Sequence, residues 1–210
     1  MNLFLVPVEL PSHHIGKPQS SLVYRKVLKT NNPEPKIIQD IVRELWYKLS
    51  HAFLGEDVGR ITSEALWSND VFLNFRGEDT HNSFIGQLHV ALKKKGIITF
   101  RDYENLERGK YILVELFKAI EKSRFAIVIL SKHFATSTWC LEELATIIEC
   151  MKEKGMIVLP TFYNVDPSNV WKQTGTFAQA STEHEERFKE NIEKVQTWRD
   201  ALREVTNLFG

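Results

Sequence analysis

The chain has 210 residues, with 27 basic and 27 acidic side chains, and 43% of its residues are hydrophobic. This length suits one domain of about 150 residues plus an additional segment. The balanced charge gives no reason to expect a nucleic acid or an acidic membrane as partner. No apolar run reaches the roughly 18 residues of a membrane-spanning helix, and residues 1–8 lack the basic start of a signal peptide.

The two cysteines, Cys140 and Cys150, are ten residues apart in one predicted helix. About 15 Å separates such positions along a helix axis, which is too far for a disulfide. We therefore expect a reduced, intracellular protein in the cytoplasm, with the nucleus as an alternative. The histidines and cysteines show no metal-site spacing, and no phosphate-binding loop or serine elbow is present. The sequence predicts neither a metal nor a bound cofactor.

Residues 1–35 are interrupted by five prolines, which predicts a largely irregular leader. From about 36 to 54, apolar residues recur every four positions, which predicts an amphipathic helix that ends before Gly55. Such a helix must dock on the main domain, dock on another chain, or stay partly exposed. The pattern from Asn69 onward is complete in itself. We therefore divide the chain into an N-terminal extension with a linker, 1–66, and a domain, 67–210, that folds without it.

Strand and helix patterns alternate after Asn69, which predicts an α/β domain whose parallel sheet is covered on both faces. The predicted strands are 71–75, 97–101, 125–130 and 156–162. The first helix is predicted at 81–95, and the second follows a polar loop, 102–110. A third helix is predicted from about 138 to 154, a short helical turn after Asp166, and one long helix at 177–207. Four strands are clear, and 174–177 is the only remaining place for a fifth.

The first strand ends at Arg76-Gly77, which is where an open α/β sheet gathers its ligands. If the strand order is 2-1-3-4-5, the crevice lies between the first and third strands. Its walls are then the Arg76-Gly77 turn and residues 131–143. The alternative is that Arg76 is only a surface charge.

Glu142 and Glu143 can be separated by helix geometry, because successive residues are about 100° apart. Glu142 falls on the predicted solvated face, whereas Glu143 falls at the flank of the apolar face, near Trp139. Glu143 is therefore the carboxylate that we expect to be desolvated and usable. The alternative is that both are solvated charges near a helix N-terminus.

Residues 67–210 resemble the TIR (Toll/interleukin receptor) domain of plant disease-resistance proteins. The matching segments occur in family order: DVFLNFRGEDT (70–80), FRD (100–102), LERG (106–109), IEKS (120–123), STWCLEEL (137–144), LPTFY (159–163), VDPS (165–168) and KQTG (172–175). The resemblance implies a flavodoxin-like TIR fold with a five-stranded parallel sheet of order 2-1-3-4-5.

The resemblance also implies hydrolysis of NAD⁺ as substrate, with nucleotide products used as immune signals. The catalytic carboxylate of the family corresponds to Glu143, the residue that the helix geometry selects. Substrate-binding positions carried over from the family are Phe75, Arg76, Gly77, Asp102, Tyr111 and Trp139. Nicotinamide leaves as a neutral base, so one carboxylate beside the oxocarbenium-like centre is sufficient.

Other TIR domains are the expected protein partners, because the family associates with itself through its first and last long helices and the region around Gly175. The alternative is a scaffold that binds other TIR domains without catalysis. Gly86-Gln87 stand where many members have Ser-His or x-His, which predicts weaker association. Residues 35–49 resemble the connector that usually follows a TIR domain, yet here they precede it.

Overall fold

The structure is a computed structural model that describes residues 27–28, 34–54, 67–101 and 110–208. The strands are β1 (Val27–Leu28), β2 (Asn69–Phe75), β3 (Thr99–Arg101), β4 (Ser123–Ser131) and β5 (Ile157–Tyr163). The helices are α1 (Glu34–Leu54), α2 (Gly77–Lys94), α3 (Lys110–Glu121), α4 (Thr138–Lys154), α5 (Pro167–Lys172), α6 (Thr176–Arg187) and α7 (Ile192–Asn207). Single 3₁₀ turns lie at Phe134–Thr136 and Lys189–Asn191.

All strands are parallel and lie in the order β1-β5-β4-β2-β3. The four strands predicted from the sequence therefore follow the order 2-1-3-4, as expected. The prediction of a flavodoxin-like α/β fold is confirmed. The register places Leu73 beside Ile127 and Ile127 beside Leu159, so the centre of the sheet is apolar on three adjacent strands.

The fifth position in the sheet belongs to β1, which comes first in the sequence. Val27 pairs with Phe162 and Leu28 with Tyr163. The prediction of a fifth strand at 174–177 is wrong, because α6 begins at Thr176. Gly175 precedes that helix with φ 60°, a left-handed conformation that favours glycine.

Helix α1 is part of the core, so of the three arrangements expected for it the structure shows docking on the main domain. Its buried apolar residues are Ile37, Ile38, Ile41, Val42, Leu45 and Leu49, which share one cluster with β2, β4, β5 and α2. Burying each such side chain contributes about 1.5–3 kcal/mol, as an upper estimate. The boundary at residue 67 stays a prediction, but α1, which precedes that boundary, shares this core.

The sheet separates two helical layers, and β2 shows how its side chains divide between them. Val71 and Leu73 pack in the cluster with α1 and α2, whereas Phe72 packs with α3, α4 and α7. Side chains alternate along a strand, so Asn74 shares the side of Phe72. Asn74 is thereby directed towards α4.

The predicted long helix 177–207 is two helices, which corrects that expectation. Phe188 leaves the helical conformation at the end of α6, with φ −113° and ψ 35°. Its ring meets Trp198 of α7 edge-on at a centroid distance of 5.3 Å, and His184 lies 5.2 Å from the same indole. Turning the chain here stacks α6 on α7 through three rings, which a straight helix could not do.

Candidate functional site

The candidate site lies where β2 and β4 end side by side. The chain leaves β2 towards β3 on one side, and then returns to β4 on the other side. Open α/β sheets bind ligands at such a switch point, beyond the carboxyl ends of the strands. The crevice expected between the first and third predicted strands is therefore the one that the topology provides.

Asn74 and Glu143 form the buried polar pair of this site. The Nδ2 atom of Asn74 donates hydrogen bonds to Oε2 of Glu143 at 2.6 Å and to the carbonyl of Cys140 at 3.2 Å. Asn74 is 0% exposed and Glu143 is 3% exposed. Because the helix axis and the sheet fix both backbones, the carboxylate is held in one position.

The amide oxygen of Asn74 has no hydrogen-bond partner among the described residues. Rotating the amide by 180° would place this acceptor against two others, the Glu143 carboxylate and the Cys140 carbonyl. The orientation is therefore determined by its surroundings, and one acceptor remains unsatisfied beside the carboxylate. An unsatisfied buried polar atom costs stability, and a functional role is one explanation for such an atom in a native structure.

Helix α4 is anchored at the end of β2 by its own first turn. Ser137 caps the helix by accepting a hydrogen bond from the Cys140 N–H at 3.2 Å. The Cys140 thiol donates to the Phe75 carbonyl at 3.3 Å. Neither Cys140 nor Cys150 forms a disulfide, as predicted. These contacts fix the position of α4 along its axis relative to the end of β2. They thereby also fix the position of Glu143, which lies one turn further along the helix.

A second polar cluster joins α2 to the loop after β4. The carboxylate of Asp79 accepts hydrogen bonds from the Ser131 hydroxyl at 2.6 Å and from the His133 N–H at 2.8 Å, and lies 3.1 Å from the His133 ring nitrogen Nδ1. Arg76 donates to it at 2.9 Å. Burial alone would raise the pKa of Asp79, but these donors and the Arg76 charge outweigh burial and lower it.

Arg76 is already paired with carboxylates of its own turn. Its guanidinium contacts Glu78 as well as Asp79, and its side chain is 21% exposed. Helix α2 begins at Gly77, four residues earlier than predicted, and this brings both acidic residues into its first turn. Negative side chains there offset the free N–H groups of the helix start. Arg76 is thus held at the end of β2, and its positive charge is shared between Glu78 and Asp79.

Glu142 and Glu143 of α4 differ as the helix geometry predicts. Glu143 is buried, whereas the Glu142 side chain is 30% exposed and forms an ion pair with Lys194 of α7. Glu142 is therefore bound to a neighbouring helix, rather than simply solvated. Trp139 lies half-buried one turn before Glu143, and its indole N–H is buried without a hydrogen-bond partner within the described part of the chain.

Three other predicted substrate-binding positions are less informative. The ring of Phe75 packs against the α1–α2 cluster. Phe75 therefore contributes to the site through its carbonyl, which accepts from Cys140, and not through its ring. Asp102 and the polar loop 102–109 lie outside the described residues, as does the side chain of Tyr111. Asn74 was not predicted, although a lone amide in an otherwise apolar strand was a usable signal.

The predicted association positions lie on two separate surfaces. Gly86 is half-buried and Gln87 exposed on α2, and a Cβ added at Gly86 would meet no atom within 4 Å. Gly175 is exposed at the start of α6 and borders a cleft of about 310 Å³ with Lys132, Asn169 and Thr176.

Two classes of site are absent from the described residues. No cluster of histidine, cysteine, aspartate or glutamate in ranges 27–28, 34–54, 67–101 and 110–208 could hold a metal ion. Over the same residues, no helix has the length and apolar character needed to cross a membrane.

Comparison with known proteins identifies the family. The TIR domain family model matches residues 69–210. The chain is 51% identical over 149 residues to TMV resistance protein N of Nicotiana glutinosa, and 50% identical over 141 residues to disease resistance protein RPV1 of Vitis rotundifolia. These alignments cover 71% and 67% of this chain, but only 13% and 10% of those proteins.

A solved structure supports the same assignment. The TIR domains of the activated Roq1 resistosome, which directly recognises the pathogen effector XopQ, match with a TM-score of 0.62 and 53% identity. The match covers 67% of this chain and 84% of that chain. The chain therefore belongs to the TIR domain family of plant disease-resistance proteins.

Proposed function

We propose that this protein is an NAD⁺ nucleosidase that acts in plant immune signalling, with Glu143 as its catalytic carboxylate. The observation that carries the proposal is the buried carboxylate at the switch point, hydrogen-bonded by Asn74 at 2.6 Å. Family membership supports it, because the chain contains the full motif around Glu143. We place the activity in the cytoplasm, with the nucleus as the alternative.

The reaction breaks the bond between the nicotinamide nitrogen and the ribose carbon C1′. The bonding electrons leave with the cationic ring, which becomes neutral nicotinamide. Water supplies hydroxide to C1′ and releases a proton, giving ADP-ribose; in a cyclising enzyme an adenine nitrogen takes the place of water. Glu143 stabilises the positive charge that develops at C1′, and its fixed position makes this stabilisation effective. No metal or additional cofactor is needed for this step.

The burial of Glu143 implies that the described conformation is closed. A carboxylate that is 3% exposed cannot contact a ribose until neighbouring side chains move. A partner that binds only the open form would shift the population towards it. A second TIR domain could be such a partner, as the resistosome assembly of the Roq1 relative suggests. We propose that association with other TIR domains activates this site.

A non-catalytic TIR scaffold is the second candidate. It is favoured by the same low exposure, because a buried carboxylate hydrogen-bonded to an asparagine also suits a purely structural role. The scaffold would bind other TIR domains and leave NAD⁺ unchanged.

The deciding experiment follows nicotinamide release from NAD⁺ at high protein concentration. Glu143→Gln removes the charge but keeps an acceptor for Asn74, so folding is retained. We expect it to reduce the rate by at least ~100-fold, the typical effect of losing one electrostatic stabiliser. Glu142→Gln is the matched control, because its ion pair with Lys194 is partly exposed to solvent and contributes little. Similar rates in both variants, or no release by the wild type, would favour the scaffold.

A further inference from the structure

The strand–helix unit formed by β1 and α1 occupies the last position of the sheet, although it comes first in the sequence. Strand β1 pairs with β5 through Leu28 and Tyr163. Helix α1 follows five residues later and packs against α2. The family model begins only at residue 69, so this unit lies outside the matched range, although α1 packs in the core.

The surface under α1 is apolar and depends on it for cover. Leu159 and Tyr163 of β5 are 8% and 4% exposed, and they share the α1 cluster with Ile129 of β4. The ring of Tyr163 also lies 5.0 Å from that of Phe84 on α2. Without α1, the groove between α2 and the β5 edge would open these side chains to water.

Helix α1 is amphipathic, and its apolar face is the one that covers this groove. Leu45 is 0% exposed against the sheet, whereas Trp46 and Tyr47 on the other side are 49% and 59% exposed. A helix with one apolar face gains most of its stability from packing that face. The groove and α1 are therefore complementary, and neither is complete alone.

We propose that this chain is a circular permutation of the doubly wound order, and that residues 27–54 are the partner that docks in the groove between α2 and β5. In the order 2-1-3-4-5, the fifth strand–helix unit follows the fourth. Here the corresponding unit precedes the first. The folding unit then spans 27–208, rather than 67–208, and its last unit is supplied by the same polypeptide.

The connection can be made within one molecule. Strands β1 and β2 are separated by β5 and β4, hence by three strand spacings or roughly 14 Å. Helix α1 starts beyond the carboxyl end of β1, so a helix of 21 residues returns towards the edge where β2 begins. The 14 residues from 55 to 68 can extend to roughly 45 Å, which is ample for this crossover.

Hydrogen exchange on the full-length wild-type chain tests whether α1 belongs to the folding unit. We expect the amides of residues 41–49 to exchange as slowly as those of β4, because both are released only by global unfolding. Exchange at least 100-fold faster in α1 than in β4 would overturn the proposal. Gel filtration with light scattering at about 1 µM tests the intramolecular arrangement. A monomer of 24.4 kDa is expected, and a dimer that persists on dilution would show that a second copy supplies the segment.

Substitutions in α1 provide an independent measure. Leu45→Ala should lower Tm by roughly 5–15 °C, as for a buried leucine of a domain this size. Gln39→Ala, on the exposed side of the same helix, should leave Tm within about 2 °C. Equal melting temperatures in the two variants would contradict the proposal. A rearranged chain, with residues 27–54 moved behind residue 208 through a flexible linker, should unfold cooperatively near the wild-type Tm. Loss of cooperative unfolding in that chain would also count against the permutation.

Discussion

The Nδ2 atom of Asn74 lies 2.6 Å from Oε2 of Glu143, and both side chains are buried. One comes from the end of β2 and the other from the second turn of α4. The hydrogen bond thus joins the two elements that bound the switch point. In this hydrogen bond the carboxylate accepts from a neutral amide donor.

Replacing that donor by a carboxylate should make stability depend on pH. In Asn74→Asp, two carboxylates would face each other inside the protein, so one of them keeps its proton and its pKa rises. A raised folded-state pKa of an acid means that stability is lost as the pH rises through that value. We expect a loss of roughly 2–4 kcal/mol at pH 8 and a smaller loss at pH 5, measured by urea unfolding.

Adding Glu143→Gln to Asn74→Asp provides the control, because it removes the like-charge contact without changing the shape. The double variant should lose most of the extra pH dependence. If the single and double variants respond identically to pH, the two side chains are not coupled as the structure implies.

Asp79 should show the opposite dependence. Its pKa in the folded protein is lowered from the usual 3.8, so its stabilisation is present above that value and is lost as the pH falls through the folded-state pKa. Asp79→Asn should therefore reduce the free energy of unfolding at pH 7, by about 1–3 kcal/mol. The difference from wild type should shrink below pH ~4.

Urea unfolding at pH 7 and pH 3.5 measures this effect, and Glu78→Gln is its control. Glu78 also contacts Arg76, but its side chain is 79% exposed, and exposed ion pairs contribute little. An Asp79→Asn deficit of equal size at both pH values would show that packing, rather than charge, is lost.

Two glycine-to-alanine substitutions should have effects of opposite sign. Gly155 ends α4 with φ 73°, where an L side chain costs roughly 1–2 kcal/mol. Gly86 lies within α2 with no atom within 4 Å of an added Cβ, so alanine there should stabilise by up to about 1 kcal/mol. Thermal unfolding at low protein concentration distinguishes them. A destabilised Gly86→Ala would indicate a close neighbour at that position.

Much of the fold follows from local pattern. The four predicted strands are apolar runs bounded by turns, and burial between two helical layers requires that pattern. Strand β1 has only two residues, and its partner Tyr163 is 135 positions from Leu28. No periodicity marks so short a strand, and only the assembled sheet shows where it pairs.

For a similar reason, only one residue of the central pair in the candidate site, Glu143, could be predicted from the sequence. Helix geometry places Glu143 towards the core, because that depends only on its spacing from Leu141 and Leu144. Its partner Asn74 is 69 residues away, and a sequence pattern does not show which strand residue faces which helix turn. The break at Phe188 was missed because apolar residues continue at helical spacing through it, while the ring contacts with Trp198 determine the turn.

The activity we propose should depend steeply on protein concentration. Glu143 is closed off in the described conformation, and association with a second TIR domain is proposed to favour the open one. If Gly86 and Gln87 lie at the contact that the family resemblance predicts, association through α2 should be weak. We expect the protein to be mostly monomeric and nearly inactive at low micromolar concentration. The specific rate of nicotinamide release, followed across a hundredfold dilution, measures this dependence.

The second contact region can be tested near Gly175, but Gly175→Arg is a poor choice of variant. The backbone there has φ 60° and ψ −126°, so arginine would strain the chain as well as block a surface. Ala178→Arg adds the same bulk and charge on the exposed first turn of α6 without that strain. It should abolish activity at high concentration while leaving Tm within a few degrees, since exposed substitutions have small effects on stability. Gln39→Arg, which adds the same charge at an exposed position of α1, is the matched control and should retain activity. An active Ala178→Arg variant would show that this surface is not used. A rate per molecule that stays constant on dilution would show that the monomer is already competent.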